Sequence, residues 1–217
     1  MQAQTSRPAP PKRATYQDLL SVPEHLTAEL IDGVLYAMAR PRVRHVASSS
    51  AMGVHLGAAF GLRRPIGGPG GWVILDEPEL HLGGAVPTDL VLAPDMAGWR
   101  RERLAEAPDA AALEMVPDWI CEILSASTAS HDRIRKMDWY GRVGVRWAWI
   151  VDADARSIEI YHHDGANWVF LGGVTGQDPA RIQPFEAVEF DISEWWAPVP
   201  AAPATEPAPT PESTSGG

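Results

Sequence analysis

Cysteine is nearly missing from the chain. Cys121 is the only one in 217 residues, which excludes a disulfide framework and any zinc site built on thiolates. Lysine is almost as scarce. Of eighteen basic residues only Lys12 and Lys136 are lysines, and Lys12 lies in a proline-rich leader, so the expected folded body carries one ammonium among many guanidiniums. The two cations are not interchangeable: a compact amine with a tunable pKa cannot be replaced by a planar fork. No run approaches the ~18 apolar residues of a membrane span, and no signal-peptide h-region follows Met1, which is the pattern expected of a cytoplasmic protein. P-loop and dinucleotide-binding glycine patterns, the G-x-S-x-G elbow, and the HxH and HxxxH histidine patterns are also lacking, and the adjacent His162-His163 is expected at an exposed strand end. The missing patterns argue against nucleotide-fold, serine-hydrolase and histidine-zinc chemistry.

Positive charge is in short supply as well. Twenty-eight acidic residues set the net charge at −10 with neutral histidines. A generic electrostatic binder of nucleic acid is basic, so this balance counts against avid metal-free DNA binding. It leaves room for a site where carboxylates hold a divalent cation that in turn meets phosphate.

What the sequence does contain is one body between two extensions. Residues 1–13 and 197–217 are rich in proline without apolar periodicity and are expected to be disordered. Residues 14–196 supply the core. Thr15 with Asp18 predicts a capped short helix through Leu20, and Asp32-Gly33 predicts a two-residue hairpin between apolar runs. Met52, Leu56 and Phe60 predict a helix over 45–62. Extended runs follow at 72–75, 79–82, 90–93 and 119–124. A second helix is predicted from Ser127 or Thr128 to Val143, ending at Gly144. Strands are then predicted at 147–151, 157–162, 168–171 and 188–191, with an Asp164-Gly165 hairpin. Trp119, Trp147 and Trp149 fall on strands and are expected in the core, and Trp195-Trp196 is expected to close the body. The class is mixed α/β.

The chemistry concentrates on a few charged residues. Glu122 sits within Trp119-Ile120-Cys121-Glu122-Ile123-Leu124, an apolar strand where an uncompensated carboxylate is costly. It is either an ion pair with a core cation or a metal ligand or base. Asp132, Lys136 and Tyr140 share one face of the following helix at i, i+4, i+8; Asp132 with Lys136 could equally be a surface ion pair. Asp95 follows Pro94 in an apolar stretch and Asp89 is a near-duplicate six residues earlier, either of which could be a turn aspartate. Glu29 lies in the first hairpin, where an alternating strand would expose it. Apolar strands that each carry one carboxylate, with one helical lysine, are what cation-assisted phosphodiester cleavage requires.

These stretches together resemble the Uma-two family of restriction endonucleases in the PD-(D/E)XK nuclease superfamily. The likeness runs through Glu29-Leu30-Ile31-Asp32-Gly33, His45, Pro94-Asp95, Pro117–Ser125, Ser127-Thr128, Asp132, Lys136, Tyr140, Gly144-Val145 and Trp149–Asp152. It implies a restriction-endonuclease-like core: a mixed central β-sheet flanked by helices, with additional N-terminal and C-terminal antiparallel strands. It also implies Asp95 and Glu122 as ligands of Mg²⁺ (Mn²⁺ as substitute), Glu29 as the acidic residue of the first element, and DNA as substrate. The superfamily lysine stands two residues after the glutamate, where this chain has Leu124, so the resemblance assigns that role to Lys136. Asp95 is preferred to Asp89 because only Asp95 follows a proline. The expected activity is metal-dependent hydrolysis of DNA, with a non-catalytic interaction or nucleic-acid-binding module of the same fold as the alternative. A homodimer is left open.

Overall fold

A computed structural model describes residues 12–85, 89–125 and 129–196. The two expected disordered extensions, apart from Lys12 and Arg13, and the Ser127/Thr128 helix start lie outside the described residues. Thr15 caps α1 (Tyr16–Leu20), its backbone N–H and hydroxyl both donating to Asp18 Oδ2 at 2.8 Å. β1 (Leu26–Ile31) and β2 (Val34–Ala39) then pair antiparallel around Asp32-Gly33. Both turn residues take positive φ, 51° and 73°, the geometry a two-residue primed hairpin turn demands and the reason glycine stands second.

α2 (Val43–Leu56) continues into a π-helical turn at Gly57–Gly61, close to the expected span. β3 (Trp72–Asp76), β4 (Leu80–His81) and β5 (Leu90–Leu92) follow. β6 (Met96–Arg100) was not expected: Gly98 inside it and Pro94 before it mask the strand signal. Next comes β7 (Trp119–Ile123), then a π-helical segment (His131–Lys136) that runs into α3 (Met137–Val143). α3 ends at Gly144 with φ of 96°. β8 (Trp147–Asp152), β9 (Ser157–His163) and β10 (Trp168–Thr175) complete the strands. The strand expected at 188–191 does not form; Phe190 makes only an isolated bridge to Ala180. Val188–Asp191 follows a tight run of turns and packs its apolar side chains against the core as an irregular cover.

The strands make two sheets, a four-stranded one ordered β2-β1-β5-β4 and a six-stranded one ordered β10-β9-β8-β7-β6-β3. Among the described strands only β7 and β8 pair parallel, joined through the helical segment 129–143, so the central sheet is mixed as expected. Alternation along β7 sorts its side chains. Trp119, Cys121 and Ile123 join a core with α2 and the C-terminal cover, where Trp195 and Trp196 are buried. Ile120 and Leu124 join a second core with Met137 and Tyr140 of the helical segment. Glu122 therefore points at that helix from the middle of the sheet. Among the described residues no helix is long and apolar enough to cross a membrane.

The close approach of sheet and tryptophans gives a test. A Cβ at Gly98 would lie 3.1 Å from Trp119 and 3.2 Å from Trp72, whereas one at Gly57 meets nothing within 4 Å. Gly98→Ala is expected to lower stability by about 1–3 kcal/mol through overpacking. Gly57→Ala, in helix, is expected to raise it by about 0.5–1 kcal/mol. Urea unfolding midpoints measure both.

Candidate functional site

The two sheets bring together Glu29, Glu122 and Lys136, all fully buried. Glu29 comes from β1, which pairs with β5 so that the Ala93 N–H just beyond β5 donates to Glu29 Oε1 at 3.0 Å. Lys136 Nζ lies 2.8 Å from Glu29 Oε1. The same nitrogen reaches both oxygens of Glu122, 2.8 Å to Oε1 and 2.9 Å to Oε2, and donates to the Ala93 carbonyl at 3.3 Å. Asp132 Oδ1 is 4.0 Å away. The i, i+4 pair is thus an interior contact rather than a solvent-facing one, and Glu29 is not the exposed position that simple alternation suggested.

Asp95 stands one residue before β6, where Met96 pairs with Cys121, which sets it level with Glu122. Its Oδ2 accepts the Ile123 N–H at 2.5 Å and its Oδ1 faces His45 Nε2 at 2.6 Å. Asp89 is exposed and has no part in this arrangement. Asp95, Glu122, Lys136, Asp132 and His45 line one cavity of about 410 Å³, with Glu77, Glu79 and Ser125 on the same wall. Its other wall is the N-terminal segment: Leu19, Pro23, Thr27, Met38 and Arg40 among others.

Three participants were not among the residues singled out as catalytic or metal-binding. Tyr140 donates its hydroxyl to Glu122 Oε1 at 2.6 Å, and its i+4 spacing from Lys136 was the available signal. His131 Nε2 lies 3.2 Å from Glu29 Oε2. Regular α-helical winding separates residues 131 and 136 by about 140° around the axis, so no 3.6-residue pattern could join them. The π-helical winding of His131–Lys136, with its i to i+5 bonding, brings both to one carboxylate. His45 is the third; with Ser48, Met52 and Leu56 it forms the buried stripe of α2, which extends the Met52–Leu56 pattern back by one and two turns.

The electrostatics are unbalanced. Several carboxylates crowd a single ammonium, and burial opposes every one of these charges. For Lys136 burial is outweighed by Glu122, Glu29 and Asp132, which hold its pKa well above the ordinary lysine value; the ammonium persists. Burial likewise works against Glu29, but Lys136, His131 and the Ala93 N–H overcome it and lower its pKa. Glu122 is left the other way. Burial, with Asp132, Asp95 and Glu29, pushes its pKa well up against the pull of Lys136. The donors that a cation could use are hard carboxylate oxygens in local excess, which fits Mg²⁺ better than a soft metal. Asp95 and Glu122 are the residues that could hold it. Among the described residues no three His, Cys, Asp or Glu side chains form a ready-made cluster, so the remaining ligands would be water and substrate, as is usual for Mg²⁺.

Comparison with known proteins bears on this geometry. The profile of the family described as "Uma2: Putative restriction endonuclease" matches residues 13–193. The chain belongs to the Uma2 family. Among solved structures it resembles the crystal structure of a "putative nuclease belonging to DUF820" from Anabaena variabilis ATCC 29413, with a TM-score of 0.64 and 18% identity over 84% of this chain and 97% of that one. At that identity the likeness establishes the fold, a restriction-endonuclease-like core. No curated protein matches the chain.

The unbalanced charge predicts a stability cost. A carboxyl with a raised folded-state pKa favours the fold most below its unfolded pKa, and that contribution is lost as pH rises through the folded value. Glu29, with a lowered pKa, contributes in the opposite sense, above its unfolded pKa. In cation-free protein at pH 8, Glu122→Gln should therefore melt about 2–4 °C above wild type, an increment of about 1 kcal/mol for a chain of this size, and the difference should shrink toward pH 5. Differential scanning calorimetry across that range checks it. A variant that melts lower at pH 8 would show that the ionised pair is a net stabiliser.

Proposed function

We propose that this Uma2 protein is a Mg²⁺-dependent endonuclease that hydrolyses DNA by attack of water on phosphorus. The observation that carries this reading is the Lys136 ammonium fixed 2.8 Å from Glu122 in a cavity also lined by Asp95. When bound at Asp95 and Glu122, Mg²⁺ would polarise the phosphoryl oxygen and lower the pKa of a water.

The protein's own groups do the rest. Lys136, too strongly held as an ammonium to serve as a base, stabilises the negative charge that grows on the phosphoryl oxygen. Glu29 keeps that ammonium aimed, aided by the Ala93 carbonyl. Tyr140 donates to Glu122 and so orients the carboxylate, while Ile123 N–H and His45 orient Asp95. Water attacks, the bond from phosphorus to the leaving sugar oxygen breaks, the attacking water gives up a proton to solvent, and the leaving oxygen takes one from solvent to become a hydroxyl. A second reading is a non-catalytic module of the same fold that binds nucleic acid or a protein partner; the net charge of −10 disfavours metal-free contact with nucleic acid and so favours the protein partner within it.

Nicking of supercoiled plasmid separates the two. Wild type should nick with Mg²⁺ or Mn²⁺ and stop in EDTA. Glu122→Gln, expected to fold at least as well as wild type, should be inactive. Lys136→Arg should lose about 100-fold or more in single-turnover rate, the scale of losing one aimed charge-stabilising donor, because the planar guanidinium cannot occupy the place of a compact ammonium. Metal-independent DNA binding without nicking would favour the non-catalytic module.

A further inference from the structure

Charge is not spread evenly along this acidic chain. It has 28 acidic residues, yet none between Asp32 and Asp76, and that stretch carries Arg40, Arg42, Arg44, Arg63 and Arg64. The first three stand in the run Arg40-Pro41-Arg42-Val43-Arg44, which leads from β2 into the first turn of α2. All three arginines are exposed, and Val43 is 86% exposed, so the run projects from the body. Arg40 and Pro41 line the cavity, as does His45 directly after Arg44, and His45 Nε2 reaches Asp95 Oδ1 at 2.6 Å. The run is therefore the cavity rim on the side of Asp95.

Little on the protein occupies these guanidiniums. Arg40 donates to the Glu24 carbonyl at 2.8 Å, a neutral partner that leaves its charge whole. Arg44 meets Asp154 at 3.2 Å, a pair open to water on both sides and therefore weak. Among the described residues the Arg42 side chain makes no hydrogen bond or ion pair. Inside the cavity the balance is the reverse, with Lys136 outnumbered by carboxylates. A chain of net charge −10 repels a polyanion, so approach needs a local cationic surface, and this run supplies one where the cavity opens. Guanidiniums suit phosphate because their N–H groups pair with two oxygens at once. From Arg40 to Arg44 the chain reaches at most about 14 Å, which matches about four nucleotides of one strand at a rise of about 3.4 Å each.

We propose that Arg40, Arg42 and Arg44 grip the phosphate backbone of the substrate strand beside the cavity, a role that rests on the reading of the cavity as a DNA-cleaving site. They hold the phosphates next to the one presented to Asp95 and Glu122. Contacts of this kind position the strand and carry no base sequence. They act on binding rather than on the bond that breaks. Arg63 and Arg64 belong to the same acid-free stretch but follow the π-helical turn at the far end of α2, about 25 Å away by helical rise, and take no part.

Fluorescence anisotropy of a labelled DNA duplex of random sequence with the full-length protein, in Ca²⁺ in place of Mg²⁺, tests the grip. Arg42→Ala removes no side-chain cap from α2. It should raise Kd about threefold to tenfold and flatten the plot of log Kd against log salt by about one unit of slope. Arg42→Lys should recover most of both, because lysine also binds phosphate as a point charge. The triple variant Arg40→Ala/Arg42→Ala/Arg44→Ala should flatten the slope by about two to three. Arg64→Ala, which changes net charge by the same amount as Arg42→Ala, should bind within about twofold of wild type. In plasmid nicking Arg42→Ala should raise KM with kcat within about twofold, the mark of lost uniform binding. A folded Arg42→Ala with the wild-type Kd and salt slope would overturn the grip, as would a wild type that binds no duplex at low salt. Equal weakening by Arg64→Ala would trace binding to overall charge and overturn it too. Poly-glutamate that displaces the duplex as well as unlabelled DNA does would overturn it in favour of an acidic protein segment. Wild type that binds DNA through Arg42 yet nicks none would support the grip while counting against the nuclease reading.

Discussion

The ammonium of Lys136, out of water and 2.8 Å from both Glu29 and Glu122, is the constraint around which the rest is arranged. A buried cation without anions, or these carboxylates without a cation, would cost several kcal/mol each. The interaction can exist only if β1, the central strand β7 and the helical segment after it are all in place. It therefore couples the small sheet to the large one through charge as well as packing. The same contact explains why an arginine-rich chain keeps a lysine at 136, the one lysine in residues 14–196, since a guanidinium is the wrong shape to stand between two carboxylates and a backbone carbonyl.

Charge at this point is not merely compensated but overdrawn on the negative side. Asp132 and Asp95 add to a pair of glutamates that a single ammonium already serves, and Glu122 carries the consequence in a strongly raised pKa. A purely structural ion pair has no need of that surplus. A site that is to receive a cation does, and proteins commonly hold such strain where they work. The Uma2 relationship and the restriction-endonuclease-like fold give this surplus its setting, and the cation reading rests on the surplus itself.

Much of this was legible in the sequence because the signals were local. The Asp32-Gly33 turn, the Thr15–Asp18 cap, the Gly144 stop and the single carboxylate inside 119–124 each carry their meaning within a few residues. Asp132, Lys136 and Tyr140 share a face in the structure as their spacing suggested. Other features depend on geometry that no local pattern encodes. β6 hid behind Pro94 and Gly98. Residues 188–191 looked like a strand by composition yet pair only through an isolated bridge from Phe190 to Ala180, while Val188 and Phe190 pack on the core. His131 entered the site through π-helical winding, which breaks the period used to read helices. The burial of Glu29 came from the second sheet, a non-local event that reverses what alternation in one hairpin implies.

The central claim is that the carboxylate surplus beside Lys136 is a seat for a divalent cation. Anomalous diffraction from crystals of the full-length protein soaked in Mn²⁺ tests it without reference to any substrate. One peak is expected between Asp95 and Glu122, about 2.0–2.6 Å from an oxygen of each, with Lys136 still against Glu29. A well-ordered site with no peak there, or Mn²⁺ bound only elsewhere, would contradict the account.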